Sequence, residues 1–149
     1  MKKSLSVSLL LVFAMAVAAG TAVTLQDNKK LVGPGRIPHK NLSAEQVALK
    51  NVVAFTLYEW ESYCETLPED EAKLFRDQKN SPALLESREQ SLKVNHRYEA
   101  VSVKTQGNTS EVIVEETIKN KKSRYKIVLE KKPTGWVVSS LDTIAQQKK

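Results

Sequence analysis

The sequence predicts an α+β domain: a long N-terminal helix and two short helices packed on a curved four-stranded antiparallel meander, preceded by an N-terminal hydrophobic segment. Three observations point there. Apolar residues recur at helical spacing from Ser43 to Thr66, the period changes to two after Asn95, and short turn sequences separate four alternating segments. Size agrees with a single core: 149 residues, 41% hydrophobic and 27% charged, which is ordinary globular composition and excludes collagen-like, coiled-coil-only and polytopic membrane chains.

Residues 1–25 open with Met1-Lys2-Lys3 and continue without a charge from Leu5 to Leu25. Two readings fit. A signal peptide would use Ser4–Phe13 as its apolar core and Ala16-Val17-Ala18 as a small-residue cleavage site. A membrane anchor would use the whole stretch, residues 5–25, since about 20 apolar residues cross the hydrocarbon core. Either way the remainder of the chain is expected outside the cytoplasm, at the cell membrane or secreted or periplasmic after cleavage. Residues 26–42, with Gly33-Pro34-Gly35 and Pro38 and no periodicity, read as a flexible linker. The domain is expected over 43–145, and 146–149 is a polar tail.

Ser43 with Gln46 three residues later matches a capping box and starts the long helix. Leu49, Val52, Val53, Thr56, Leu57, Trp60, Tyr63, Cys64 and Leu67 fall on one stripe about 140° wide at helical spacing, with Glu61 and Glu65 opposite. Phe55 and Tyr58 lie outside that stripe, together with Val47 and Ala54. Thr66 and Glu69 suggest a second capping box opening a short helix over 68–78, and Ser81-Pro82 opens a third with Leu84, Leu85 and Leu92 on one side. Strands are expected at His96–Thr105, Ser110–Lys119, Ser123–Glu130 and Trp136–Ile144, joined by tight turns.

The helix–helix–helix–meander order, ending in Tyr125-Lys-Ile-Val-Leu129 and Gly135-Trp-Val-Val-Ser-Ser-Leu141, resembles the nuclear-transport-factor-2-like, or cystatin-like, superfamily over residues 43–144. That resemblance implies a helix filling a cone-shaped sheet, and a family containing enzymes, small-ligand binders and interaction domains alike. Hydrophobic segment, linker and one such domain together resemble the membrane-anchored scaffold subunits of type IV secretion and conjugation channels. The resemblance implies other membrane or secretion-complex proteins as partners, with a homo-oligomer also in view.

Chemistry-bearing motifs are sparse. The two histidines, His39 and His96, lack ligand partners at metal spacing, and the single cysteine excludes a cysteine-rich zinc site, so no metal and no cofactor is expected. No Gly-rich phosphate loop or nucleophile elbow is present. Cys64 could pair with His96 as a nucleophile, but its place between Trp60 and Leu67 reads as a core thiol, and His96 reads as a surface residue at a strand start. The superfamily's enzymes place acids inside the cone. Here the long helix carries Glu45, Glu59, Glu61 and Glu65 off its apolar stripe, so no enzymatic activity and no catalytic residue is expected. Trp60, Tyr63 and Tyr98 are the candidate pocket lining, and Phe55 and Tyr58 the candidate partner interface.

Net charge is +6, unevenly spread: residues 43–94 carry six basic and ten acidic groups, and residues 95–149 eleven basic and six acidic. The cluster from Lys119 to Lys132 interleaves only Tyr125, which alternates inward, so nucleic acid is not an expected partner. The expected function is an extracytoplasmic, membrane-tethered protein-interaction module. The alternative is a secreted or surface small-ligand-binding protein of the same fold.

Overall fold

The computed structural model describes residues 22–23, 27–78 and 81–145. Most of the hydrophobic segment and the polar tail lie outside the described residues. Among the described residues no helix is long and apolar enough to cross a membrane.

The class is α+β, with four helices and an antiparallel sheet in sequential strand order. A two-residue strand, β1 (Ala22–Val23), lies at one edge. The helices are α1 (Ala44–Thr56), α2 (Trp60–Glu65), α3 (Glu69–Arg76) and α4 (Pro82–Leu92). The meander follows as β2 (His96–Gln106), β3 (Thr109–Ile118), β4 (Lys121–Lys132) and β5 (Gly135–Ile144).

Alternation sorts the strands into two faces. Tyr98, Ala100, Val112, Val114, Ile127 and Leu129 point to the helical side and are fully buried. They meet Val47, Ala48, Val52 and Val53 of α1, which are equally inaccessible. A bulge between Ala100 and Ser102 and another at Ser139, between the pairs Val128–Ser140 and Leu129–Val138, bend the ladder. The turns use left-handed backbone at Gly107 (φ 60°) and Lys119 (φ 55°). Gly135 is needed on two counts: its φ is +119°, and a Cβ there would sit 3.2 Å from His39 Cδ2 and 3.4 Å from the His39 carbonyl oxygen.

Two expectations are corrected here. The helix read as continuous from Ser43 to Thr66 is two helices. The capping box at Ser43 and Gln46 is present, but α1 stops at Thr56 and Tyr58 takes φ +57°. A non-glycine residue in that region costs of order 1–2 kcal/mol. Edge-on packing of the Tyr58 ring against Trp60, centroids 5.8 Å apart, offsets part of it. The second difference concerns residues 26–42, expected as a flexible linker. From Leu31 on they are packed against the domain: Leu31, Val32 and Leu42 are buried in the main core, and the Ile37 amide donates to the Lys30 carbonyl at 2.8 Å. Burial of three apolar side chains acts together with the Arg36–Glu65 ion pair and the Gly33 and Ile37 amide bonds against the entropy of a free coil.

The expected Thr66–Glu69 capping box is also absent. Pro68 caps α3 without a side-chain bond. Thr66 instead closes α2, donating its hydroxyl to the Tyr63 carbonyl at 2.6 Å and accepting from Asn51 Nδ2 at 2.8 Å.

Candidate functional site

One cleft has the Arg36–Glu65 pair in its wall and another the His96–Glu116 pair. The larger, of about 990 Å³, lies between the 31–42 segment, α2, the start of α3 and the β4–β5 turn. Its organising group is Glu65, the last residue of α2. The carboxylate accepts from Lys50 Nζ on α1 and from Arg36, whose Nε lies 3.0 Å from Oε1. Arg36 also donates through Nη1 to the Gly33 carbonyl at 2.9 Å, and the Gly33 amide donates to Ser62 Oγ at 3.2 Å. One carboxylate thus ties the 31–42 segment to two helices.

Lys50 is fully buried although it carries a charge. Burial pushes its ammonium below the usual lysine range, and the hydrogen bond it donates to Glu65 opposes that shift. Burial alone would raise the Glu65 carboxyl. The bonds from Arg36 and Lys50 outweigh burial and hold it below the ordinary carboxylate value. Arg36 is held up by the same carboxylate. At the opposite wall Arg76 grips Glu69 through two bonds, of 2.7 and 3.1 Å.

His39 sits where the 31–42 segment meets β5. Its Nε2 donates to the Trp136 carbonyl at 2.7 Å, while the buried Nδ1 has no partner. A ring with one donor bond and one bare nitrogen is the neutral tautomer, and burial lowers its pKa accordingly.

The smaller cleft, of about 540 Å³, is lined by Phe55, Tyr58, Ser91, His96 and Glu116 among others. His96, expected at the surface, is buried, because its ring stacks on Tyr98 (centroids 5.9 Å apart) beneath the end of α4. Its Nδ1 lies 3.2 Å from Glu116 Oε2 and its Nε2 3.3 Å from Ser91 Oγ. The spacing looks like a serine–histidine–glutamate triad, but the proton inventory reads differently. Nε2 is closer, at 3.0 Å, to the Ser91 carbonyl, which can only accept, so Nε2 carries a proton. Ser91 Oγ donates to the Thr56 carbonyl at 2.6 Å. The serine proton is therefore engaged away from the ring, and the ring has no free lone pair toward it. The cluster acts as a clasp joining α1, α4, β2 and β3, with Tyr125 of β4 donating to Glu116 Oε1 at 3.3 Å. The Glu116 bond raises the His96 pKa, against the lowering effect of burial.

Of the sequence-derived candidates, Trp60 lines the larger cleft. Tyr63 is half-buried in an aromatic cluster with Phe55, Trp60 and Phe75, centroids 5.4 to 5.6 Å apart. Tyr98 lines neither cleft. It is fully buried, with its hydroxyl 2.5 Å from Thr56 Oγ1. Phe55 is 45% exposed and Tyr58 half-buried, and both wall the smaller cleft. Cys64 is buried with its thiol pushed up by burial, and it lines the larger cleft while His96 lines the smaller, so the two are not brought together as a nucleophile pair. The Arg36–Glu65–Lys50 cluster was missed. Spacing on an uninterrupted helix puts Glu65 on the solvent side, and only the break at Tyr58 turns α2 so that Glu65 faces Lys50.

Four basic residues of β4 are met by acids. Lys122 and Arg124 pair with Glu115, Lys126 approaches Glu111 at 3.6 Å, and Lys132 pairs with Glu130. Lys131 lies over the Trp136 ring.

The chain matches no protein-family model, no curated protein and no solved structure. Any reading of function therefore rests on its own residues.

Proposed function

We propose that this chain is an exported protein-interaction module working at the outer side of a membrane, within a multi-component assembly of the kind to which type IV secretion and conjugation scaffolds belong. The observation that carries the reading is the contrast between a filled interior and an apolar exterior. The space between α1 and the sheet, which would hold a ligand in a cone-type binder, is occupied by Tyr98, Val112, Val114, Ile127 and Leu129, none of them exposed. Meanwhile Phe55, Leu74, Leu85 and Leu92 on the helical layer are 45%, 71%, 48% and 50% exposed. Exposed apolar side chains mark a partner surface where they are contiguous, and Phe55 shares the smaller cleft with Glu86 and Gln90 of α4, the helix that carries Leu85 and Leu92.

Export is supported by residues 1–25. The pairing of Ala22 with Glu99 and of Val23 with Tyr98 places those two residues in the sheet. Only residues 5–21 are then left for a span, at the lower limit of about 17 residues. Cleavage after Ala18 would leave the paired residues in the mature protein, which supports the processed form over the anchored one.

The test is crosslinking in native membranes followed by pull-down, comparing the wild type with Phe55→Ser/Leu85→Ser. Loss of the captured protein with an unchanged melting midpoint supports the reading. Undiminished capture by the double variant, or intact chain recovered from the cytoplasm, overturns it.

The second reading, a small-ligand binder, is favoured by the 990 Å³ cleft beside Trp60. Against it, Arg36 and Arg76 are already engaged by Glu65 and Glu69, so a ligand carboxylate or phosphate would have to displace an internal partner.

A further inference from the structure

The last strand of the meander has two unlike halves. At its start the outward-facing backbone is sealed. The Trp136 carbonyl accepts from His39, and the Val138 amide donates to the Thr66 carbonyl at 2.7 Å. Beyond the bulge at Ser139 nothing among the described residues continues that seal, and every residue from Ser139 to Ile144 is exposed. Natural sheets guard such edges with lysine, proline or charge. Here the basic residues sit on the interior strand β4, and Asp142 is the only charged residue of β5.

The side chains at this open edge end an unfinished row. Across the helix-facing side of the sheet Val103 pairs with Val112, Val112 with Ile127, and Ile127 with Leu141. The first three are buried, whereas Leu141, at the edge, is 37% exposed. An apolar row that stops at a bare backbone edge lacks one more strand.

We propose that this strand is Ser139–Thr143 of a second copy of the chain, paired antiparallel about a two-fold axis through Leu141. The register follows from self-complementarity. In an isologous antiparallel pair opposed residues share a face, so the axis passes through a residue. With the axis at Leu141, the two leucines meet and extend the Val103–Val112–Ile127 row into the partner. Asp142 then lies opposite Ser140, and Thr143 opposite Ser139. An axis at Asp142 would oppose two carboxylates, and an axis at Ser140 would shorten the ladder, because Val138 is already bonded to Thr66. No other centre joins the leucines. The paired segment is only five residues on each side, the scale of a weak, transient contact rather than of a permanent dimer. The proposal sits within the interaction-module reading but is carried by a different surface, so each can fail alone.

The test is sedimentation equilibrium of the host-processed chain from about 10 μM to 1 mM, on the wild type, Leu141→Lys and Phe55→Ser. Leu141→Lys installs the usual edge guard at an exposed site. The expected result is a concentration-dependent dimer in the wild type and in Phe55→Ser, with the dissociation constant raised at least tenfold in Leu141→Lys at an unchanged melting midpoint. Leu141→Cys provides a check that does not depend on affinity. Oxidation should give an interchain disulfide, since both cysteines stand at the axis. A wild type that stays monomeric to 1 mM overturns the proposal, as does a dimer indifferent to Leu141→Lys, or Leu141→Cys that fails to crosslink.

Discussion

Replacing Glu65 with Gln removes the one negative charge that, among the described residues, lies within bonding distance of the fully buried Lys50 ammonium, and it leaves Arg36 with a neutral partner. Breaking a buried ion pair from one side costs about 3–5 kcal/mol, because the remaining charge stays desolvated. Glu65 keeps 31% of its side-chain exposure, so water can partly replace it, and the expected loss is near 3 kcal/mol. For a domain of this size that lowers the melting midpoint by roughly 10 °C. Urea unfolding followed by tryptophan fluorescence measures the loss directly, with Trp60 and Trp136 both half-buried in the folded state. The decisive variant is Lys50→Met/Glu65→Gln. Methionine matches the buried stem of lysine without its charge, so the double variant should recover at least half of the lost stability. If Glu65→Gln costs less than about 1 kcal/mol, or the double variant is no better than the single, Lys50 is solvated and the account of the cluster is wrong.

Other outcomes follow from particular contacts. Gly135→Ala should destabilise by about 1–3 kcal/mol in thermal unfolding, since φ +119° strains an L side chain and a Cβ 3.2 Å from His39 Cδ2 requires that ring to give way. The two histidines should act oppositely with pH. His96 has a raised pKa, so its contribution is complete below about pH 6.5 and is lost as pH climbs through the folded value, and His96→Gln should flatten that alkaline decline. His39 has a lowered pKa, so stability falls as pH drops below about 6.5, and His39→Gln should flatten the acid side instead. Urea midpoints at pH 5 to 8.5 separate the two. Phe55→Ser should cost under about 1 kcal/mol, because the ring is nearly half exposed, and a larger loss in urea unfolding would make it core.

The class of fold was legible because it depends on periodicity. The change from helical spacing to alternation after Asn95 marks the four strands to within two residues, and the Ser43–Gln46 box starts α1 where expected. Alternation also put Tyr125 on the inward side of β4, where it packs against the main core. The sites were much less legible. Trp60 and Cys64 line the larger cleft, but Arg36 and Glu65, which pair in its wall, looked like linker and solvent-face residues.

The physical reason is the range of the interactions. Local rules specify caps, turns and the face a residue occupies on its own element, and all of these are written within a few neighbouring positions. Tyr58 breaks the helix without glycine or proline, so its left-handed backbone leaves no local mark; it is held by contacts such as that with Trp60. That one break re-aims α2, brings Glu65 to Lys50, and lets residues 31–42 dock through Arg36. The burial of His96 likewise needs α4 and Glu116, the latter 20 positions away in sequence. What the sequence by itself determined was the α+β order, the strands and their core faces. The charged clusters, the docked 31–42 segment and the half-open edge of β5 were decided only by tertiary packing, because each requires distant segments to meet before its energy exists.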